Sequence, residues 1–194
     1  MRFEKAVLPA MLVVLSLTAS AQAKPSGTFG TEPGQVARME IGLGYTYFHA
    51  NAPPSGCGCF SLNGGAGSVT INASHGLGLV VDLSGVHASQ VNSTAQWITI
   101  FDYFAGPRYS FRSHSRFTPF VQGLIGGSRE TSNTVSLTSA NAFAGGGGAG
   151  VNAVLGRHLG WNIVEVDYIY SQLPNGVNNY QSDLRVSSRI LFRF

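Results

Sequence analysis

Apolar and polar residues alternate along most of this chain, and the alternation is clearest in residues 183–194. One series is mainly apolar and consists of Leu184, Val186, Ser188, Ile190, Phe192 and Phe194. The other series is mainly polar and consists of Asp183, Arg185, Ser187, Arg189, Leu191 and Arg193. Because successive side chains of a β-strand point to opposite faces, a strand separates the two series and a helix does not. We therefore predict a strand with one apolar face and one face that requires an aqueous or counter-charged space.

The same two-residue period recurs in seven earlier segments. Together with the final segment, the predicted strands span residues 36–48, 66–73, 77–87, 99–112, 117–128, 142–155, 161–171 and 183–194. Most of them reach the roughly 9–11 residues that a tilted strand needs to cross a bilayer. The sequence therefore predicts an all-β fold, an eight-stranded antiparallel up-and-down transmembrane β-barrel.

Proline and glycine interrupt this pattern in two of the predicted strands. Proline removes a hydrogen-bond donor from a ladder, so we expect a β-bulge at Pro107 in the fourth strand. In the fifth strand we place Val121 and Ile125 outward and Gln122 inward. In the sixth strand, the four glycines at 145–148 are expected to make room for bulky side chains across a narrow barrel.

The connections between the predicted strands alternate in length. Long connections span residues 51–64, 88–96, 129–141 and 172–182, and short ones span 74–76, 113–116 and 156–160. Bacterial barrels have short periplasmic turns and long outer loops. This order therefore predicts that the four long connections lie outside the cell.

With that orientation, the outward aromatic residues fall at two levels. The outer level contains Tyr45, Tyr47, Phe101, Tyr103, Tyr168 and Tyr170. The inner level contains Tyr109, Phe111, Phe117, Trp161, Phe192 and Phe194. Two aromatic girdles are typical of lipid-embedded barrels. The alternative, a secreted lipocalin-like barrel or β-sandwich, would hold apolar residues inside and charges outside.

The N-terminal residues predict export. Arg2 and Lys5 precede a short apolar run at 6–18, and Ala21-Gln22-Ala23 provides a small-x-small cleavage site. We therefore predict a signal peptide at 1–23. The Pro/Gly-rich residues 24–34 read as a periplasmic lead-in, and residues 35–194 form the predicted barrel.

Composition and charge argue against a nucleic-acid partner. Charged residues make up 11% of the chain, about half of the ordinary fraction in soluble domains. Removing the predicted signal peptide leaves 10 basic and 8 acidic residues, a net charge of +2. The basic residues are dispersed along the chain, so we expect no nucleic-acid partner.

Cys57 and Cys59 are the only cysteines, in a chain predicted to be exported. Oxidising conditions are then available, but one intervening residue is too few for ordinary disulfide geometry. A strained disulfide and two free thiols both stay open as interpretations. A zinc site is disfavoured, because two ligands do not complete its shell.

The inward faces of the predicted strands carry five basic and five acidic residues. They are Arg38, Arg108, Arg112, Arg185, Arg189, Glu40, Asp82, Asp102, Glu165 and Asp167. Buried charges are costly unless paired, so equal numbers predict a salt-bridge network across the lumen. A pore lining or proton relay is the alternative. An eight-stranded barrel is only wide enough for side chains, which favours a polar plug.

Several segments resemble the small eight-stranded outer-membrane β-barrels, the group that contains opacity-type proteins and the transmembrane domain of outer-membrane protein A. They are residues 78–82, 105–108, 118–120 and 166–168, with Phe194 at the end of the sequence. The resemblance covers nearly the whole mature chain. It implies a monomer in the bacterial outer membrane, with outer-membrane lipid, lipopolysaccharide, the barrel assembly machinery and periplasmic chaperones as partners. It also implies that Ile190, Phe192 and Phe194 form the signal read by the assembly machinery.

These motifs are structural and carry no specific activity. We expect a non-enzymatic scaffold that presents four loops for envelope integrity or surface recognition, without a cofactor or metal. A narrow porin-like channel is the first alternative and a lipid-modifying enzyme is the second. For an enzyme, His87 and Ser89 are the candidate pair, but their spacing is a weak motif and the pleat turns His87 toward lipid. The remaining histidines lack metal-ligand spacing.

Overall fold

Eight antiparallel strands form a closed barrel, as predicted. A computed structural model describes residues 37–51, 59–73, 76–89, 97–111, 116–133, 139–173 and 181–194. The strands are β1 (Met39–Asn51), β2 (Cys59–Asn72), β3 (Leu77–Ala88), β4 (Ile98–Ser110), β5 (Phe117–Ser132), β6 (Ser139–Val154), β7 (Leu159–Ser171) and β8 (Gln181–Arg193). Each strand pairs with its sequence neighbours, and β1 pairs with β8 to close the barrel. None of the described residues belongs to a helix long and apolar enough to cross a membrane.

The two ends of the barrel differ in their connections. The turn end carries the start of β1, the end of β8 and the connections at 73–76, 111–116 and 155–158. The loop end carries the connections at 52–58, 89–97, 133–138 and 172–180. The strands run further toward the loop end than predicted, so the connection between β5 and β6 is no longer than that between β4 and β5. At that one place the predicted alternation of connection length is wrong.

The barrel wall has a bulge in β7 and none at Pro107. Ala105 pairs with Ile125 and Arg108 with Gln122 in one unbroken register, so the bulge predicted at Pro107 is wrong. Pro107 pairs with Leu79 of β3 and has no ladder partner in the described part of β5. Because proline has no N–H to donate, the ladder to β5 has a gap at this residue, and the register continues on both sides of it. In β7 the register instead shifts between Asn162 and Glu165, against both β6 and β8.

The outward face of the barrel is apolar over most of its height. Both aromatic levels point outward, and aliphatic side chains are exposed between them. These include Leu43, Val69, Ile71, Leu79, Leu83, Val121, Ile125, Val164, Val166 and Ile190. Exposed apolar side chains on this scale indicate a lipid-facing surface.

The interior is divided into two layers. Charged side chains fill its middle and turn end. Buried apolar side chains form one layer that begins beside the charges and continues to the loop end, consisting of Phe48, Ala50, Phe60, Leu62, Val80, Val86, Ala88, Ile100, Phe104, Leu124, Ala144 and Ile169. At the same height the outward residues become polar, as at Ser61 and Asn63 of β2. The wall of β1 to β4 therefore exchanges its polarity near the loop end: apolar outside and charged inside below, polar outside and apolar inside above.

Candidate functional site

The charged layer of the interior is the densest polar cluster in the described chain. Eight of the predicted lumen residues are buried there: Glu40, Asp82, Asp102, Arg108, Glu165, Asp167, Arg185 and Arg189. The placement of Arg38 was wrong, because its exposed side chain precedes β1 and lies beyond the end of the wall. Arg112 lies outside the described residues.

Arg185 on β8 is the centre of this layer. Its side chain is 0% exposed and forms ion pairs with two carboxylates that are equally buried. Nη1 lies 2.6 Å from Oδ1 of Asp82, and Nη2 lies 2.9 Å from Oδ2 of Asp167. Nη1 also donates to Oγ of Ser84 at 3.3 Å. One guanidinium thus compensates two carboxylates on opposite sides of the lumen.

Arg189, four residues further along the same face of β8, extends the pairing. Its Nη2 lies 2.8 Å from Oδ2 of Asp82, an ion pair without hydrogen-bond alignment. Its Nη1 donates to Oε1 of Glu165 at 2.8 Å. Asp82 therefore lies between two arginines, and Arg189 lies between two carboxylates.

Arg108 on β4 completes the chain of charges. Its Nη2 lies 3.2 Å from Oε2 of Glu165, and its Nε donates to Oε1 of Gln122 at 2.9 Å. The Gln122 amide donates in turn to Oδ1 of Asp167 at 2.7 Å. The guanidinium also lies 4.1 Å from the ring centroid of Phe120. Three arginines and three carboxylates therefore alternate in one connected, electrically neutral chain.

Two further acidic residues lie outside this chain. Asp102 accepts hydrogen bonds from Ser128 and, at 3.3 Å, from Ser84, which itself contacts Arg185. At the turn end, Glu40 accepts from Nε of Arg193 at 3.0 Å. The predicted network omitted Arg193, although it shares a strand face with Arg185 and Arg189. That periodicity was the signal that could have found it.

The β7 bulge brings additional polar groups into the interior. Asn162 and Glu165 both point inward although they are three residues apart, because the extra residue changes the pleat between them. The Asn162 amide donates to Oδ1 of Asn152 at 2.8 Å. Sequence alternation missed Asn162, since it assumes an uninterrupted pleat.

Glycines of β6 create the space for this packing. A Cβ atom on Gly148 would lie 2.0 Å from Oδ1 of Asp167, and one on Gly150 would lie 2.6 Å from Cζ of Phe120. Any larger residue would displace a buried carboxylate or an aromatic ring. The glycine run therefore allows the charged layer to form against β6.

The candidate assembly residues lie on the opposite, outward face. Ile190, Phe192 and Phe194 are exposed on β8 and at the residue after it. The Phe194 backbone pairs with Met39 of β1, with N–O distances of 2.9 and 3.2 Å. Phe194 therefore takes part in barrel closure through its backbone, while its side chain faces outward at the turn end.

The remaining candidate residues form no site in the described chain. His87 faces outward, and its Nδ1 lies 2.9 Å from Oγ1 of Thr99. No group of three or more His, Cys, Asp and Glu side chains suited to a metal occurs among the described residues. Cys57 lies outside those residues, and the side chain of Cys59, the first residue of β2, is also outside them. The disulfide therefore stays a prediction.

Comparisons with solved structures place this architecture among outer-membrane barrels. Neisserial surface protein A has a TM-score of 0.63 at 14% identity, covering 81% of this chain and 98% of its own. Ail, the attachment invasion locus protein of Yersinia pestis, has a TM-score of 0.57 at 13% identity, covering 81% and 100%. OprG from Pseudomonas aeruginosa has a TM-score of 0.58 at 13% identity, covering 85% and 99%. At these low identities, the TM-scores show a shared fold and nothing further.

The family comparison is more direct. The model of the outer membrane protein beta-barrel domain matches residues 10–189, which is most of the chain. No match was found among curated proteins. The aromatic levels, the apolar outer wall and the charged interior agree with a bacterial outer-membrane location. The chain therefore belongs to the outer membrane protein beta-barrel domain family.

Proposed function

We propose that this protein is a non-enzymatic, monomeric scaffold that presents four loops outside the cell, for envelope integrity or surface recognition. The observation that carries the proposal is the filled interior. The alternating chain from Asp167 to Arg108 occupies the middle of the lumen, with side chains that are at most 3% exposed. A barrel closed in this way contributes through its rim and loops.

The apolar layer adds a second obstacle to transport. Phe48, Leu62 and Ile100 are buried between the charged layer and the loop end. An ion entering from that side would lose its hydration among groups that offer no hydrogen bonds, which is strongly unfavourable. It would then have to separate charge-assisted contacts below. Both layers favour the scaffold over a narrow solute channel.

The loop end supports presentation at a surface. The strands continue past the outer aromatic level, and their interior there is a packed apolar core. Such a core makes the rim a stiff support for the four connections. Ail, which shares this architecture, is named for attachment and invasion. We propose that this protein also recognises a surface through loops held on its rim. Its other proposed partners are outer-membrane lipid and the assembly machinery.

Planar-bilayer recordings test the filled lumen. The wild-type protein is expected to show no steady conductance, because both interior layers obstruct the axis. Arg108→Ala is expected to remain closed as well, since the apolar layer is unchanged by it. A large-pore porin in the same bilayers serves as the positive control. A well-resolved ohmic current through the wild type would favour the channel instead.

Epitope tags test the orientation. A tag after Ser55, in the connection between β1 and β2, should bind antibody on intact cells. A tag after Ser113, in the connection between β4 and β5, should bind only after lysis. The reason is that short turns face the periplasm in barrels of this type. Labelling of the second tag alone on intact cells would contradict the proposed orientation.

A further inference from the structure

The outward wall contains a groove where three lipid-facing positions are glycines. The groove measures about 370 Å³ and lies across β1 to β4. Its floor contains Gly65 and Gly67 of β2 and Gly85 of β3. Leu43, Leu83 and Phe101 also line it. The three glycines lie between these larger side chains, so the groove is a local depression in the outward wall.

Strand register defines the shape of the groove. One row across the wall runs Tyr45, Gly65, Gly85, Phe101, so that two adjacent glycines lie between two aromatic residues. Those aromatic residues are three strand spacings apart, about 14 Å. The next row toward the turn end runs Leu43, Gly67, Leu83, Tyr103. The depression thus runs along the barrel wall and narrows toward the turn end.

The fold itself does not require glycine at these positions. A Cβ atom on Gly65 would lie 3.7 Å from its nearest neighbour, the Gly44 carbonyl oxygen. One on Gly85 would lie 3.7 Å from Cδ2 of Phe101. Both are ordinary contact distances. By contrast, a Cβ atom on the neighbouring Gly64 would lie 1.9 Å from the Gly85 carbonyl oxygen. The groove glycines therefore leave space for something outside the protein.

A polar row borders the groove on the side of the loop end. This row runs Tyr47, Asn63, His87, Thr99. Asn63 accepts a hydrogen bond from the Tyr45 hydroxyl through Oδ1, and His87 contacts Thr99 through Nδ1. When Nδ1 of His87 accepts from the Thr99 hydroxyl, Nε2 carries the proton, and both Nε2 and the Asn63 amide nitrogen can donate to a headgroup oxygen. The groove is therefore apolar along its length and polar at its outer end, like a lipid molecule.

The charge beside the groove favours an anionic headgroup. Arg129 of β5 pairs with Phe101 in the groove row, about 10 Å from Gly85, and its side chain is exposed. The described carboxylates lie on the interior side of their strands or are buried: Glu40, Asp82, Asp102, Glu130, Glu165, Asp167 and Asp183. On the outward wall near the groove, Arg129 therefore meets no described carboxylate.

We propose that this groove binds one acyl chain of lipid A, with a lipid A phosphate near Arg129 and headgroup oxygens at Asn63 and His87. The polar row lies at the loop end, so the site faces the outer leaflet, and this step rests on the orientation in the proposed function. Lipid A has the required chemistry, with acyl chains beside phosphates. A second copy of the barrel would offer Arg129 no described carboxylate from its outward wall, because the described acidic side chains lie on the interior side of their strands or are buried.

Native mass spectrometry of the folded protein in detergent tests the site, with lipid A and phosphatidylglycerol as separate probes. The wild type should retain one lipid A in preference to phosphatidylglycerol. Gly65→Leu and Gly85→Leu fill the groove and should each weaken lipid A binding about tenfold or more. Gly123→Leu adds the same side chain to the outward face of β5, where a Cβ atom meets nothing within 4 Å, and should bind like the wild type. Arg129→Gln should weaken lipid A binding and leave phosphatidylglycerol retention unchanged.

Heat-modifiable migration on gels establishes that each variant is folded before binding is compared. Equal lipid A binding by the wild type and both groove variants would overturn the proposal, as would equal or better retention of phosphatidylglycerol by the wild type. A wild-type dimer that is lost in Gly85→Leu would assign the groove to a second copy and also overturn it. Conductance and tag labelling do not depend on the groove, so failure here is distinguishable from failure of the scaffold proposal.

Discussion

Replacing Arg185 by methionine is expected to lower the free energy of unfolding by about 3–5 kcal/mol. Arg185 is fully buried between Asp82 and Asp167, so its removal leaves two carboxylates without their shared cation. Methionine retains much of the side-chain volume, and the loss is therefore one of charge compensation. The measurement is urea unfolding of the barrel in lipid vesicles, followed by the fluorescence of Trp97 and Trp161.

Two further variants separate this effect from a general loss of charge. Arg116→Met removes an exposed arginine next to β5 and should change the stability by less than about 0.5 kcal/mol. Adding Asp82→Asn and Asp167→Asn to Arg185→Met removes the stranded carboxylates and should restore part of the stability. If Arg185→Met behaves like Arg116→Met, the charged layer does not contribute to stability as inferred.

Phe194→Asp is expected to abolish insertion into the outer membrane while export to the periplasm continues. The side chain of Phe194 is 58% exposed, and its backbone pairs with Met39 whatever side chain it carries. A charge on the lipid face near an interface costs only about 0–1 kcal/mol. That cost is too small to unfold the barrel, so a complete loss of insertion would reflect failed recognition by the assembly machinery.

Phe117→Asp is the matched control for this prediction. Phe117 is 53% exposed at the same end of the barrel but lies on β5, outside the candidate assembly signal. We expect Phe117→Asp to insert and to show heat-modifiable migration, and Phe194→Asp to accumulate unfolded in the periplasm. Equal folded yields from the two variants would remove Phe194 from the assembly signal.

The strands that cross the membrane could be predicted from the sequence because their two faces meet opposite environments. In β8 the buried and exposed positions alternate from Asp183 to Phe194 as the sequence indicated. Because lipid lies outside and paired charges lie inside, apolar and polar side chains must alternate at every position of such a strand. The closed eight-stranded barrel follows from counting such segments.

The loop-end parts of the strands could not be predicted from the same rule. In β2, Val69 and Ile71 face outward, whereas Phe60 and Leu62 face inward. The apolar phase thus reverses within one strand, and such a reversal looks like the end of a strand when only the period is followed. For that reason the sequence predicts a loop at residues 59–64, where the structure has the first part of β2. The apolar layer was missed for the same reason.

The pairing of individual charges depends on register, which alternation alone does not supply. Arg38 and Glu40 share a predicted face, yet only Glu40 lies within the wall, where it is register partner to Arg193. The bulge in β7 is a similar case, because one additional residue changes which side chains point inward beyond Asn162. The sequence therefore predicts most of the charged residues of the interior. Which of them pair with each other depends on the register of the closed sheet.

The exchange of polarity along the wall also fixes the depth at which the barrel sits in the bilayer. Moving the barrel deeper would place Ser61 and Asn63 in hydrocarbon, and raising it would expose Leu77 and Leu79 to water. From the row of Tyr45 to the end of β1 at Asn51, the wall rises roughly 15 Å. The loops are therefore held at a constant height above the lipid headgroups. A partner on another surface must reach that height through any polysaccharide layer, whatever the loops recognise.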